Sequence, residues 1–488
     1  MKPGDRLRQG ARVAFHFGNN WISLIGAALT TSAALTMIWF WMLEITSPHP
    51  VHPYAGIALF LILPVLFVIG LVLMPIGVLL RRRRATRDGA LPAALPKVEL
   101  RSPALRHFLS LVGGVTILNV ALMGTATYKG VEYMESNQFC GLTCHKVMQP
   151  EYTAFLDSPH SRVGCVQCHI GPGAGWFVKS KLSGVRQVFA VALETYSRPI
   201  PSPVHDLRPA RETCEQCHWP QKIVGDKFVV RTKFADDEAN TPSTTVLVLK
   251  VGGRTGTGAT GIHGRHLDTE ERITYVSTDG RREVIPKVTY RDDRGEDVEY
   301  VSEEAKVSPA DLARAESRKM DCLDCHNRPS HTFEVPEKAV DRAMSEGRID
   351  RTLPFVKKKA VELLRREYPD RETARTQIAS GLVDFYRTSY PEVHRQHRGA
   401  IENASVAVGA IYLRNVFPDM KVTWGSYPNH IGHEDFLGCF RCHDESHKAR
   451  DGRTITQDCN ACHTILAQDE ANPKVLRDLG LTLMESSS

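Results

Sequence analysis

Cys140-Gly-Leu-Thr-Cys144-His145 and, twenty residues further on, Cys165-Val-Gln-Cys168-His169 open a series that continues to the end of the chain. Its other members are Cys214-Glu-Gln-Cys217-His218, Cys322-Leu-Asp-Cys325-His326, Cys439-Phe-Arg-Cys442-His443 and Cys459-Asn-Ala-Cys462-His463. All twelve cysteines fall into these six pairs, and histidine follows the second cysteine each time. None is left over for a disulfide. Five pairs have two residues between the thiols, and the first has three.

Such a motif fits covalent haem attachment. Two thiols add to the two vinyl groups of the porphyrin, and the adjacent histidine reaches the iron as proximal ligand. Zinc is the competing reading, because sixteen residues separate Cys442 from Cys459, a spacing found in four-cysteine zinc ribbons. Zinc does not require a histidine after every pair, however, and here the histidine recurs at all six. Six covalently bound c-type haems are therefore expected, with His145, His169, His218, His326, His443 and His463 as proximal ligands.

Outward from the motifs, the composition divides the chain. Its 488 residues allow more than one sizeable core, and 42% of them are hydrophobic. The strongly apolar stretches all precede residue 130. The net charge of +6 is also uneven: residues 1–106 carry +8 and the remainder −2. A basic patch for nucleic acid has no support, and no nucleic-acid partner is expected.

Residues 21–43, 54–80 and 108–128 contain no charged side chain. Each is long enough to cross a hydrocarbon core of about 30 Å at a rise of about 1.5 Å per residue. Trp21 and the Trp39/Trp41 pair stand at opposite ends of the first, where interfacial belts would lie. Lys2, Arg6, Arg8 and Arg12 precede it, Arg81 to Arg84 with Arg87 follow the second, and the loop between them has no Lys or Arg. The positive-inside rule then places the N-terminus in the cytoplasm and everything after residue 128 outside. A cleaved signal peptide is the alternative for the first run, which is long for one and lacks a clear cleavage site.

The fold class expected is mixed: three N-terminal transmembrane helices plus an extracytoplasmic multihaem domain, largely helix and loop, with a small β-rich insertion. The divisions are a membrane domain over 1–128, a triple-haem region over 129–220, the insertion over 221–310, a haem-binding helical region over 311–424 and a di-haem region with a tail over 425–488. Segments 228–233, 245–251, 272–277, 284–290 and 298–301 have the composition of strands between Gly- and Asp-rich turns. Segments 356–367 and 373–386 have helical periodicity.

The second axial ligand separates electron carriers from haem enzymes, because two ligands close the iron to substrate. Ten histidines outside the motifs follow the apolar region, enough to cap every haem. His160 and His205 each precede a motif by a short loop. His331 follows His326 by five residues, His430 and His433 precede Cys439, and His447 follows His443 by four. In the glycine-rich stretch Thr-Gly-Ile-His263-Gly-Arg-His266, one imidazole, His266 or His263, is placed to reach a haem. His394 and His397, on a charged segment, read as surface residues.

From residue 105 to 220 the order of features resembles the NapC/NirT family of membrane-anchored, quinol-oxidising cytochromes. An apolar anchor leads to a first motif followed by Met148, then Ser-Pro-His160, then Cys165 to His169, and Cys214 to His218 extends the match. The resemblance implies a first haem at the membrane surface, with Met148 as a candidate axial ligand, taking electrons from quinol. It also implies a lysine at the quinol site, for which Lys179 and Lys181 are the candidates, working with an acidic residue. This chain departs in the extra residue of its first motif and in Met148 standing three places after His145. No acid occurs in Arg186-Gln187-Val188, and Glu194 is the nearest. By layout, the larger plan is similar to inner-membrane quinol-oxidising cytochromes of metal-respiring bacteria.

The function expected is membrane-bound electron transfer from quinol to a periplasmic cytochrome or terminal reductase, in the bacterial inner membrane. The alternatives are a terminal multihaem reductase of nitrite or hydroxylamine type, or a haem subunit of a larger membrane complex. Quinol dehydrogenase activity is the enzymatic part of the expectation.

Overall fold

The structure is a computed structural model that describes residues 16–46, 62–89 and 103–481, apart from 144, 172, 205–206, 220–221, 223–224, 256–257, 268–271 and 293. The chain divides into two compact units: Met1–Cys140 with Ile170–Gly184, and Gly141–His169 with Val185–Ser488.

In the first unit, helices Trp21–Thr46 and Leu63–Arg87 are each long and apolar enough to cross a membrane. They pack closely because small residues face each other. A Cβ added to Gly26 would stand 2.8 Å from the Gly70 carbonyl, so the two backbones meet there. Ser23 Oγ donates to the Met74 carbonyl at 2.8 Å across the same seam. Helix Pro103–Glu135 joins the first through a 2.6 Å contact between the hydroxyls of Thr31 and Thr116. Among its described residues it carries the apolar stretch Val112–Leu122. The large side chains left exposed, among them Ile25, Leu35, Val65, Val68, Ile117 and Leu118, form the surface that lipid would cover. Residues 54–61 of the expected second span, and residues 47–53 of the loop before it, lie outside the described residues.

The second unit combines helices with three sheets. Strands β1 (Lys227–Phe234), β2 (Pro242–Leu249), β3 (Gly253–Thr255), β4 (Gly258–Thr260), β5 (Ile273–Ser277), β6 (Lys287–Arg291) and β7 (Asp297–Ser302) come from the β-rich segment. They are joined by β8 (Glu316–Lys319), β9 (His447–Ala449) and β10 (His463–Glu470). The sheet orders are β1-β2-β10, β3-β4 and β8-β5-β6-β7-β9, with every pairing antiparallel. The two larger sheets are thus completed by strands from outside residues 221–310. The β-rich segment is built into its surroundings.

The largest core lies among helices Pro336–Ser345, Val356–Leu364, Arg371–Ser389 and Arg398–Asn415. Val340, Leu363, Ile378, Leu382, Tyr386 and Val408 are fully buried there. Asp370 caps the third helix by accepting from the Thr373 amide at 2.7 Å. The β-rich segment is anchored to this core by buried polar contacts. Phe234 N donates to Asp341 at 3.1 Å, Asn240 donates to the carbonyls of Arg351 and Leu353, and Lys357 pairs with Asp341 at 2.7 Å.

Candidate functional site

The motifs sit on short structures whose local sequence holds them. Cys165–His169, Cys322–Cys325 and Cys459–Cys462 are single helical turns, and Ala210–Cys214 is a turn ending on its motif's first cysteine. Asp321 caps the turn at Cys322 by accepting from Leu323 N at 2.8 Å, and Asp324 returns a bond to Asp321 N at 2.6 Å. Asp324 is buried inside the motif and also accepts from Tyr275 Oη at 2.6 Å and Arg318 Nε at 2.9 Å. Asp458 caps the last motif through Asn460 N at 2.9 Å. These aspartates fix where the cysteines and histidines point.

Five proximal histidines each face a second imidazole. Ring centroids are 6.2 Å apart for His169 and His331, and 5.9 Å apart for His218 and His160. The distance is 6.2 Å for His326 and His263, 5.8 Å for His443 and His266, and 6.2 Å for His463 and His433. Two imidazoles sharing one iron need two metal–nitrogen bonds of about 2 Å and two ring radii of about 1 Å, roughly 6 Å between centroids. The gap in every pair has that size.

Hydrogen bonds leave one ring nitrogen available in several of these pairs. Nδ1 of His331 is 3.0 Å from the Glu151 carbonyl, that of His266 2.8 Å from Ile262, that of His443 2.7 Å from Thr456 and that of His160 3.3 Å from Pro329. A backbone carbonyl on Nδ1 fixes the tautomer that presents Nε2 to a metal. His263 and His463 each keep a buried Nδ1 without a hydrogen-bond partner. Burial holds His169, His263, His266, His326, His331 and His463 below the usual imidazole pKa, which favours the neutral ring that a ligand requires. The residues present therefore fit haem iron. Among the described residues no three His, Cys, Asp or Glu side chains gather around one point as a zinc ribbon would require.

The other candidates are placed differently. His447 is buried with both nitrogens engaged: Nδ1 lies 2.8 Å from Asp444 and Nε2 2.8 Å from the Ile285 carbonyl. It has no free nitrogen for a metal, and its side chain ties the start of β9 to Asp444 and to Ile285, just before β6. His430 is also buried, with Nδ1 3.3 Å from the Asp324 carbonyl, and no described proximal ring faces it. Burial pushes its pKa down to about 4. Both His263 and His266 face proximal rings, where one was expected. No residue-by-residue reading could have paired them, because their partners lie 63 and 177 residues away.

Around the first motif the structure says less. His205, Cys144 and the side chains of His145 and Lys181 lie outside the described residues. Met148 is half-buried on helix His145–Leu156. Lys179 is exposed on helix Ala174–Ala192, with its ammonium 4.4 Å from the centroid of the Trp176 ring. Glu194 is paired with Arg198 at 3.4 Å.

Cysteine pairs backed by opposed imidazoles, in a chain with an apolar helical anchor, define a c-type cytochrome. The comparisons agree. The NapC/NirT cytochrome c family, N-terminal region, matches residues 103–200. Cytochrome c-type protein ImcH of Geobacter sulfurreducens is 42% identical over 455 residues, 93% of this chain and 89% of that protein. Cytochrome c-type protein NrfH of Wolinella succinogenes is 29% identical over 93 residues, 18% of this chain and 52% of that one. No solved structure matches. This chain belongs to the NapC/NirT cytochrome c family. It is a membrane-associated electron-transport protein with covalently bound haem.

Proposed function

We propose that the chain carries six haems and conducts electrons from membrane quinol to a periplasmic acceptor. The observation that carries this reading is the set of five opposed histidine pairs. Bound haem would supply one-electron redox chemistry at each motif. The cysteines would hold it, and His331, His160, His263, His266 and His433 would supply second ligands at the second, third, fourth, fifth and sixth motifs. Closing both iron faces leaves no position for nitrite or hydroxylamine at these five sites, which favours a conduit over a terminal reductase.

Electrons would enter at the first motif. Cys140 follows helix Pro103–Glu135 by five residues, which favours a position near the membrane interface, where quinol head groups reside. Met148 is the candidate axial ligand there. Lys179 and Lys181 are candidates to hydrogen-bond and orient the quinol oxygen. The charge asymmetry supports a cytoplasmic N-terminus, a third span over 108–128 and an extracytoplasmic haem domain. The test is a pyridine haemochrome count joined to electron paramagnetic resonance of the purified chain. Six haems per chain, with at least five low-spin and unresponsive to nitrite, are expected. Four or fewer haems, or a large nitrite-binding high-spin fraction, would overturn the reading.

A further inference from the structure

The β-rich segment contains no cysteine, yet one short helix within it, Gly261–His266, carries two of the five opposed rings. Its position is fixed by backbone contacts. Ile262 N donates to the Lys250 carbonyl at 2.9 Å, and His263 N to that of Val251 at 2.8 Å. Gly261 has φ +65°, and a Cβ there would stand 2.5 Å from the Lys250 carbonyl. A Cβ on Gly264 would stand 2.7 Å from the Gly253 carbonyl. The helix is seated so tightly that only glycine fits at these two positions.

The residue beneath it reaches the last motif. Lys250 donates its backbone N–H to the Cys462 carbonyl at 2.8 Å and its ammonium to the Asn460 carbonyl at 2.7 Å. The second to fifth motifs adjoin in sequence order. The turn Cys165–His169 packs on Ala210–Cys214, which packs on Cys322–Cys325. Arg441, inside the fifth motif, donates to the Asp324 carbonyl inside the fourth at 2.6 Å.

We propose that helix Gly261–His266 is a shared clamp: His263 ligates the haem of the fourth motif, His266 that of the fifth, and the two haems are held side by side in a row that follows sequence order. The proposal rests on the paired-histidine reading above. A clamp of this kind makes the geometry of two neighbouring haems depend on one rigid turn, so their separation is set by the spacing of two residues on a single helix.

The test uses the full-length, haem-loaded chain with His263→Ala, His266→Ala and the double change. Each single variant should keep six haems and open one to carbon monoxide as a high-spin centre, and the double variant should open two. The two high-spin centres should be magnetically coupled in the double variant. A single change that leaves every haem low-spin, a double variant that opens only one haem, or two uncoupled centres would overturn the clamp. His433→Ala is the control for the underlying reading. If it opens the sixth-motif haem while the other variants open none, the clamp fails and the pairing stands at the sixth motif; if it opens none either, the pairing itself fails. Should an alanine variant not accumulate, His→Met at the same position reports through a thioether-to-iron charge-transfer band on one haem.

Discussion

The imidazoles of His169 and His331 face each other across 6.2 Å although 161 residues separate them, and Glu151 stands behind the second ring. The Glu151 carbonyl lies 3.0 Å from Nδ1 of His331, and its carboxylate pairs with the buried Arg328 at 2.7 Å. Arg328 in turn stacks over Tyr427, with the guanidinium 4.0 Å from the ring centroid. The ring of His331 is thus held by a chain of contacts whose members are themselves partly buried and fixed.

Removing that ring should open one iron. His331→Ala is expected to convert one haem in six from low-spin to high-spin and to make it bind carbon monoxide, with the haem count unchanged. Carbon monoxide difference spectra check this directly. An unaltered low-spin set would assign the second-motif haem another ligand.

His447→Ala should behave in the opposite way. Both its nitrogens bond to protein, so its loss leaves the Ile285 carbonyl without that partner and costs about 1–3 kcal/mol. The spectrum of every haem should survive, while thermal unfolding monitored by circular dichroism shifts to lower temperature.

The buried pair of Lys357 and Asp341 gives a prediction with a pH sign. Burial holds the Asp341 carboxyl above its ordinary pKa even with the lysine 2.7 Å away. Lys357→Ala leaves that carboxyl unpaired and should cost about 3–5 kcal/mol. A raised folded-state pKa favours the folded form below the unfolded value, and that advantage is lost as pH rises through the folded one. The variant should therefore melt closer to the parent at pH 4.5 than at pH 7.5. The reverse order in paired thermal melts would contradict this.

Much of this architecture was legible in the chain itself. Strand-like composition between Gly- and Asp-rich turns located β1, β2, β5, β6 and β7 to within a few residues, because both signals are local in the chain. β10 was not legible. It begins at His463, immediately after a motif, and its partner β2 lies more than 200 residues earlier, so its pairing is a tertiary event. The same limit applies to the ligands. Proximal histidines are fixed by a neighbouring cysteine, whereas His430 and His433 have similar surroundings in sequence and, among the described residues, only His433 faces a proximal ring, that of His463. His447 was misleading because Ile285, which takes its Nε2, is 162 residues away.

At the proposed point where electrons enter, Met148→Ala, or Lys179→Ala combined with Lys181→Ala, should slow reduction by quinol at least tenfold and leave reduction by dithionite unchanged. Stopped-flow absorbance at the haem bands separates the two. Equal slowing with both reductants would mean that the substitutions damaged the haem set as a whole.

The most direct test of the conduit is stopped-flow reduction of the lipid-reconstituted parent protein by a menaquinol analogue, with nitrite then added. The account predicts that quinol reduces the haems in successive phases through all motifs in thermodynamic reach, and that nitrite does not reoxidise them. A protein that dithionite reduces fully but quinol does not, or one that nitrite reoxidises at a catalytic rate, would contradict it.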